Sequence, residues 1–107
     1  MVGHRRSQGR YLIGIDVGTT GARAVVIDAR GTLVASATEE YPLYSPKPSW
    51  AEQEPADWWE ATKLTLRRVV ASRKVKAAEV AGVGLTGQMH GSVFLDRDNR
   101  VIRPAIL

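Results

Sequence analysis

Three short runs rich in β-branched and apolar residues follow one another between Tyr11 and Glu40, and each is closed by a turn signal. The first, Tyr11 to Val17, ends in Gly18-Thr19-Thr20-Gly21; the second, Ala22 to Asp28, ends around Arg30-Gly31; the third covers Thr32 to Glu40. Such runs bounded by Gly, Thr and Asp read as strands with tight turns. Strands joined by links this short pair antiparallel, because a parallel pair needs a crossover of a dozen or more residues. The chain therefore opens as an antiparallel meander. The alternation Ala35, Ser36, Ala37, Thr38, Glu39 predicts an exposed face or a sheet edge for the third strand.

Beyond Glu40 the signals change. Pro42, Pro46 and Pro48 block both helix and ladder pairing, so Tyr41 to Trp50 is expected to be an extended loop. Glu54 and Pro55 open a helix, with Glu52, Glu54 and Asp57 placing negative charge at its positive end. Trp58, Trp59, Thr62, Leu66, Val69 and Val70 recur at helical spacing and mark its buried face, which makes the tryptophan pair core packing rather than a ligand cage. Val80 to Thr86 reads as a buried strand, Gly87 to Gly91 as a loop, Ser92 to Asp96 as a strand and Asp96 to Asn99 as a hairpin turn. Val101 to Leu107 is apolar and stops without a cap or polar tail, which predicts a truncated chain. Residues 1–10, with His4, Arg5, Arg6 and Arg10, form a basic extension ahead of a partial domain over 11–107.

With 107 residues there is room for one domain at most. The absence of cysteine removes disulfides, zinc fingers and thiol nucleophiles together. Two histidines cannot build a histidine-rich metal site. No apolar run approaches the roughly 20 residues of a membrane span, and the basic start is not followed by the apolar region of a signal peptide. A cytoplasmic globular chain with no membrane partner is expected. The net charge of +4 favours polyanions in principle, but the excess is thinly spread. Arg67, Arg68, Arg73, Lys74 and Lys76 gather where a helix dipole favours cations, so no nucleic-acid partner is expected.

Two segments carry chemistry. In Asp16-Val17-Gly18-Thr19-Thr20-Gly21 an acid near a strand end precedes a turn of small residues. Glycines let the backbone approach an anion, Thr19 and Thr20 add hydroxyl donors, Arg23 adds a charge-assisted contact, and Asp16 can hold Mg²⁺ directly or through water. An ordinary Gly-Thr hairpin explains the same pattern; Asp16 beside an apolar strand favours the phosphate turn. No Lys follows the glycines as in a P-loop, and the spacing of Gly14, Gly18 and Gly21 does not match a dinucleotide fingerprint. In Gly84-Leu85-Thr86-Gly87-Gln88-Met89-His90-Gly91 a strand runs into a loop holding an amide, a thioether and an imidazole. Gln88 and His90 can hydrogen-bond hydroxyls while Met89 packs on carbon, which suits a polyol or sugar. A loop histidine capping its own backbone is the plainer alternative.

The run from Tyr11 through Ala24, the stretch Trp50-Ala51-Glu52-Gln53-Glu54-Pro55-Ala56-Asp57-Trp58-Trp59 and the loop Gly87-Gln88-Met89-His90-Gly91 together resemble the N-terminal segment of the FGGY carbohydrate kinases, most closely the xylulokinases. Gln-Met-His-Gly is characteristic of the xylulokinases, whereas glycerol kinases carry Arg-Glu after the Gln. The resemblance implies an α/β fold: a ribonuclease H-like, actin-like mixed sheet with its first three strands antiparallel, here incomplete. It implies transfer of the ATP γ-phosphoryl group to the 5-hydroxyl of D-xylulose, with Mg²⁺ at Asp16, phosphate at Gly18, Thr19, Thr20 and Arg23, and sugar at Gln88, Met89 and His90. Family members run several hundred residues further, and the catalytic aspartate and adenosine pocket are expected beyond Leu107, so the isolated chain is expected to lack turnover and to self-associate through an uncovered sheet edge. Alternatives are another FGGY kinase, for ribulose, gluconate or glycerol; a non-catalytic binding module; and a nuclease, which needs further carboxylates around two metals.

Overall fold

The computed structural model describes residues 10–71 and 75–107. The expected meander is present: β1 (Tyr11–Val17), β2 (Gly21–Asp28) and β3 (Leu33–Glu40) pair antiparallel. After β4 (Glu52–Gln53) and α1 (Pro55–Ala71), a 3₁₀ turn (Ala77–Glu79) leads into β5 (Val80–Thr86), which joins β1 in parallel. The sheet order is β3-β2-β1-β5, so β3 is an edge strand, as its alternation predicts.

Register explains the core. Val17 faces Ala22, Ile15 faces Ala24 and Ile13 faces Val26; Ala24 and Val26 in turn face Ala37 and Ala35 on β3. These residues share one face, and the alanines leave room for α1 to close on β2 and β3. The helix presents Ala61, Thr62, Thr65 and Val69 to that surface, with Trp58 and Leu66 half-buried. Buried Thr62 and Thr65 hydroxyls donate back to the Trp58 and Thr62 carbonyls at 2.7 and 2.9 Å, which satisfies both. Arg68 clamps the helix to β3, pairing with Glu39 at 2.8 Å and donating to the Thr38 carbonyl at 3.1 Å.

Several expectations need correction. Trp59 is 61% exposed, with Lys63 over its ring, because it lies about 100° around the helix from Trp58; Val70 is half-buried. Strand β5 exists but is largely exposed: Val83 and Leu85 continue the rows of Ile13 and Ile15 past the limit of α1, which lies mainly on β2 and β3. Glu52 belongs to β4 and pairs with Arg103, leaving Asp57 as the acid in the first helical turn. Ser92 to Asp96 forms no continuous strand, only isolated bridges, Ser92 to Ile106 and Leu95 to Val101. The apolar end contributes β6 (Ala105–Ile106), which pairs with β4. Residues 1–9, Arg73 and Lys74 lie outside the described residues.

Two turns share one design. Asp28 Oδ1 accepts from the N–H groups of Arg30 and Thr32 at 2.9 and 3.0 Å, and Asp96 Oδ1 accepts from Asp98 and Arg100 at 2.8 and 3.0 Å. The fourth residue of each, Gly31 or Asn99, takes a positive φ of 84° or 63°. Asp96 Oδ1 is thus committed to its turn, and no group of three or more His, Asp or Glu suited to a metal occurs among the described residues.

Candidate functional site

Parallel pairing of β1 and β5 places Asp16 beside Thr86 in register. The two strands end together, and each runs directly into one of the candidate loops. Adjacent parallel strands commonly deliver ligand-binding loops at their carboxyl ends, because the crossover leaves a crevice there.

The first loop is a tight turn, closed by Gly18 N–H donating to the Gly21 carbonyl at 3.0 Å. Gly21 is dictated by a close approach of chain: a Cβ there would sit 2.4 Å from the Glu39 carbonyl oxygen. At Gly18 a Cβ would meet only the Gly21 carbonyl at 3.6 Å, an ordinary contact. Tyr41 braces the turn from below, its hydroxyl donating to the Gly18 carbonyl and its N–H to the Thr20 carbonyl at 3.3 Å. Burial, and secondarily the negative charge of Asp16, raises the Tyr41 phenol above its ordinary pKa of 10.0, so it remains a donor near neutrality. Asp16 stands exposed on the face opposite the core, accepting from the Thr86 hydroxyl at 2.8 Å. Arg23, directly across from Asp16 on β2, is also exposed and forms no ion pair among the described residues.

The second loop turns at Gln88–Gly91, with Gly91 N–H donating to the Gln88 carbonyl at 3.4 Å. Met89 is 74% exposed, and His90 is exposed with a φ of 62°, a left-handed backbone that costs a non-glycine residue energy. The imidazole caps no backbone group among the described residues. Gln88 reaches Thr19: its Nε2 donates to Thr19 Oγ1 at 3.2 Å, and its Oε1 lies 3.3 Å from the same hydroxyl.

Gln53 lies behind both loops and is fully buried. Its Nε2 donates to the Thr19 carbonyl at 2.7 Å, while its Oε1 accepts from Trp58 Nε1 at 3.0 Å and from Gln88 Nε2 at 3.1 Å. The small β4–β6 sheet brings it there. Ser92, one residue after the second loop, exchanges hydrogen bonds with Ile106, and Leu107 N–H donates to the Ala51 carbonyl at 3.0 Å. Thr19 and Gln88 are therefore joined to one hydrogen-bonded framework through Gln53, Asp16 and Thr86 form a separate pair at the adjoining strand ends, and Thr20, Arg23, Met89 and His90 stand exposed. Sequence reasoning assigned no role to Tyr41, Gln53 or Thr86; their bonds to Gly18, Thr19 and Asp16 span 23, 34 and 70 residues, and no local pattern reports them.

A magnesium ion carried by nucleotide phosphates keeps several waters and needs only one or two protein carboxylates, a demand that Asp16 with neighbouring hydroxyls fits. Among the described residues no helix is long and apolar enough to cross a membrane.

The chain is 43% identical to a xylulose kinase of Klebsiella pneumoniae over 95 residues, which are 89% of this chain and 19% of that protein. It is 32% identical over 98 residues to a glycerol kinase of Thermococcus gammatolerans, covering 92% of this chain and 20% of that protein. Its fold matches a crystal structure described as a xyloylose kinase from Brucella ovis with a TM-score of 0.86 and 38% identity, over 91% of this chain and 20% of that one. It thus spans about a fifth of the length of these relatives. The profile of the N-terminal domain of the FGGY family of carbohydrate kinases matches residues 11–107, and the chain belongs to that family.

Proposed function

We infer that these residues are the phosphate- and sugar-contacting front of an ATP-dependent kinase that phosphorylates D-xylulose at its 5-hydroxyl. The observation that carries this reading is the bond between Thr19 and Gln88, which sets the phosphate turn and the Gln-Met-His-Gly loop within one hydrogen bond of each other. Phosphoryl transfer asks a protein mostly for positioning and charge stabilisation, and that requires donor and acceptor substrates to meet. In this assignment the Gly18 turn, the Thr19 and Thr20 hydroxyls and Arg23 hold phosphate oxygens; Asp16 holds Mg²⁺, which would neutralise phosphate charge. Gln88 and His90 hydrogen-bond sugar hydroxyls, and exposed Met89 covers carbon. The base that takes the sugar proton and the adenosine pocket are assigned to no residue of 11–107. The glycerol kinase relative supports a second reading in which the acceptor is another polyol or sugar.

The test is a ¹⁵N–¹H correlation spectrum of the chain titrated with D-xylulose, glycerol and D-gluconate, then with MgATP. Shifts at Gln88 to Gly91 selective for xylulose, and at Gly18 to Gly21 with MgATP, are expected. Equal response to glycerol or gluconate would displace xylulose, and no response at either loop would refute the site.

A further inference from the structure

The orientation of Gln53 follows from the chemistry of its neighbours. The Trp58 indole N–H is a donor only and the Thr19 carbonyl an acceptor only. A side chain between them must accept on one side and donate on the other, which an amide does in one orientation: Oε1 to Trp58 and Nε2 to Thr19. That choice propagates. Gln53 Oε1 has a second lone pair, which takes a proton of Gln88 Nε2 at 3.1 Å; the other Gln88 amide proton goes to Thr19 Oγ1 at 3.2 Å. With both amide protons committed, Gln88 offers a ligand only its Oε1, an acceptor. Thr19, accepting from Gln88 Nε2, donates its own hydroxyl proton to Gln88 Oε1 at 3.3 Å, a long bond that an anion can take over.

We propose that Gln53 is a positioning residue that fixes the donor and acceptor sense of both loops, making Gln88 an acceptor toward a ligand hydroxyl and Thr19 a donor toward an anion. It touches neither substrate; it acts through Thr19 and Gln88. The functional consequence rests on the kinase reading above, and the geometric claim does not. Glutamate in its place would set a carboxylate oxygen against the Thr19 carbonyl, and an aliphatic side chain would leave the part-buried Trp58 N–H and Thr19 carbonyl without this partner.

The chain has three tryptophans, whose indole N–H resonances report the claim directly. Gln88→Met removes one of two donors sharing Gln53 Oε1 and sits on a half-exposed loop, so the fold survives. The Trp58 indole resonance is expected to move while those of Trp50 and Trp59 stay. A Trp58 resonance that moves no more than the other two would overturn the proposal. Gln53→Met, if it folds, should move the same resonance further. A second arm separates this from the substrate assignment. If D-xylulose binds, Gln53→Met and Gln88→Met should each weaken it about fivefold, the scale of one uncharged hydrogen bond, and the double variant no more than either alone. Fully additive losses would overturn the positioning role. An intact indole shift with no xylulose response in the wild-type chain sinks the substrate assignment and leaves Gln53's role standing.

Discussion

Replacing Gly21 by alanine tests whether the Gly18–Gly21 turn is shaped by close packing of backbone. The added Cβ would lie 2.4 Å from the Glu39 carbonyl oxygen, 2.9 Å from the Glu40 Cα and 3.0 Å from the Glu39 carbonyl carbon. All three are backbone atoms of β3 and cannot rotate away, so relief requires β2 and β3 to separate. Overpacking of this kind costs about 1–3 kcal/mol, against a gain of about 0.4–1 kcal/mol from the stiffer unfolded chain. A net loss of about 1–2 kcal/mol remains, which at about 4–8 °C per kcal/mol lowers the melting temperature by roughly 4–16 °C. Thermal unfolding followed by far-ultraviolet circular dichroism reads this directly. Gly18→Ala is the control, since its Cβ meets only an ordinary contact, and Gly87→Ala meets nothing within 4 Å. A Gly21→Ala chain melting within a degree of wild type, or a Gly18→Ala chain equally destabilised, would refute the reasoning.

Further outcomes follow from the same structure. The folded chain holds the Tyr41 proton more tightly than the unfolded chain does, so its contribution is fully present below pH 10.0 and is lost as pH rises through the raised folded value. Tyr41→Phe should flatten that alkaline loss in urea titrations and cost about 0.5–1.5 kcal/mol at neutral pH through the bond to Gly18. Asp28→Ala frees the N–H groups of Arg30 and Thr32 and should cost roughly 1 kcal/mol by denaturant titration, mostly by faster unfolding if the turn forms late. Val83 and Leu85, 57% and 70% exposed on edge strand β5, should drive self-association in sedimentation velocity, and Leu85→Lys should suppress it; a monomer at every concentration would contradict this.

The meander was legible because its evidence is local: alternation, β-branched residues and turn signals lie within each strand, and the link lengths dictate antiparallel pairing. The helix was legible for the same reason, down to Pro55 at its start. What escaped depends on partners. Strands β4 and β6 are two residues each and exist only because they pair with one another. Trp58 and Trp59 are equally apolar in sequence, and the direction of the sheet decides which is half-buried. An apolar, glycine-containing run such as Val80–Thr86 reads as buried, yet its exposure depends on what packs over it. The two loops were legible as separate candidates. Local residue patterns did not show their union, which runs through the buried amide of Gln53; only the family resemblance, whose Trp50–Trp59 stretch contains Gln53, put both loops in one reaction.

The claim that the two loops form one site is tested most directly by a crystal structure of this chain with D-xylulose and a non-hydrolysable MgATP analogue. The account predicts sugar hydroxyls on Gln88 Oε1 and His90, and phosphate oxygens on the Gly18–Gly21 turn. Sugar or phosphate density settled elsewhere on the chain, with these loops unengaged, would contradict it.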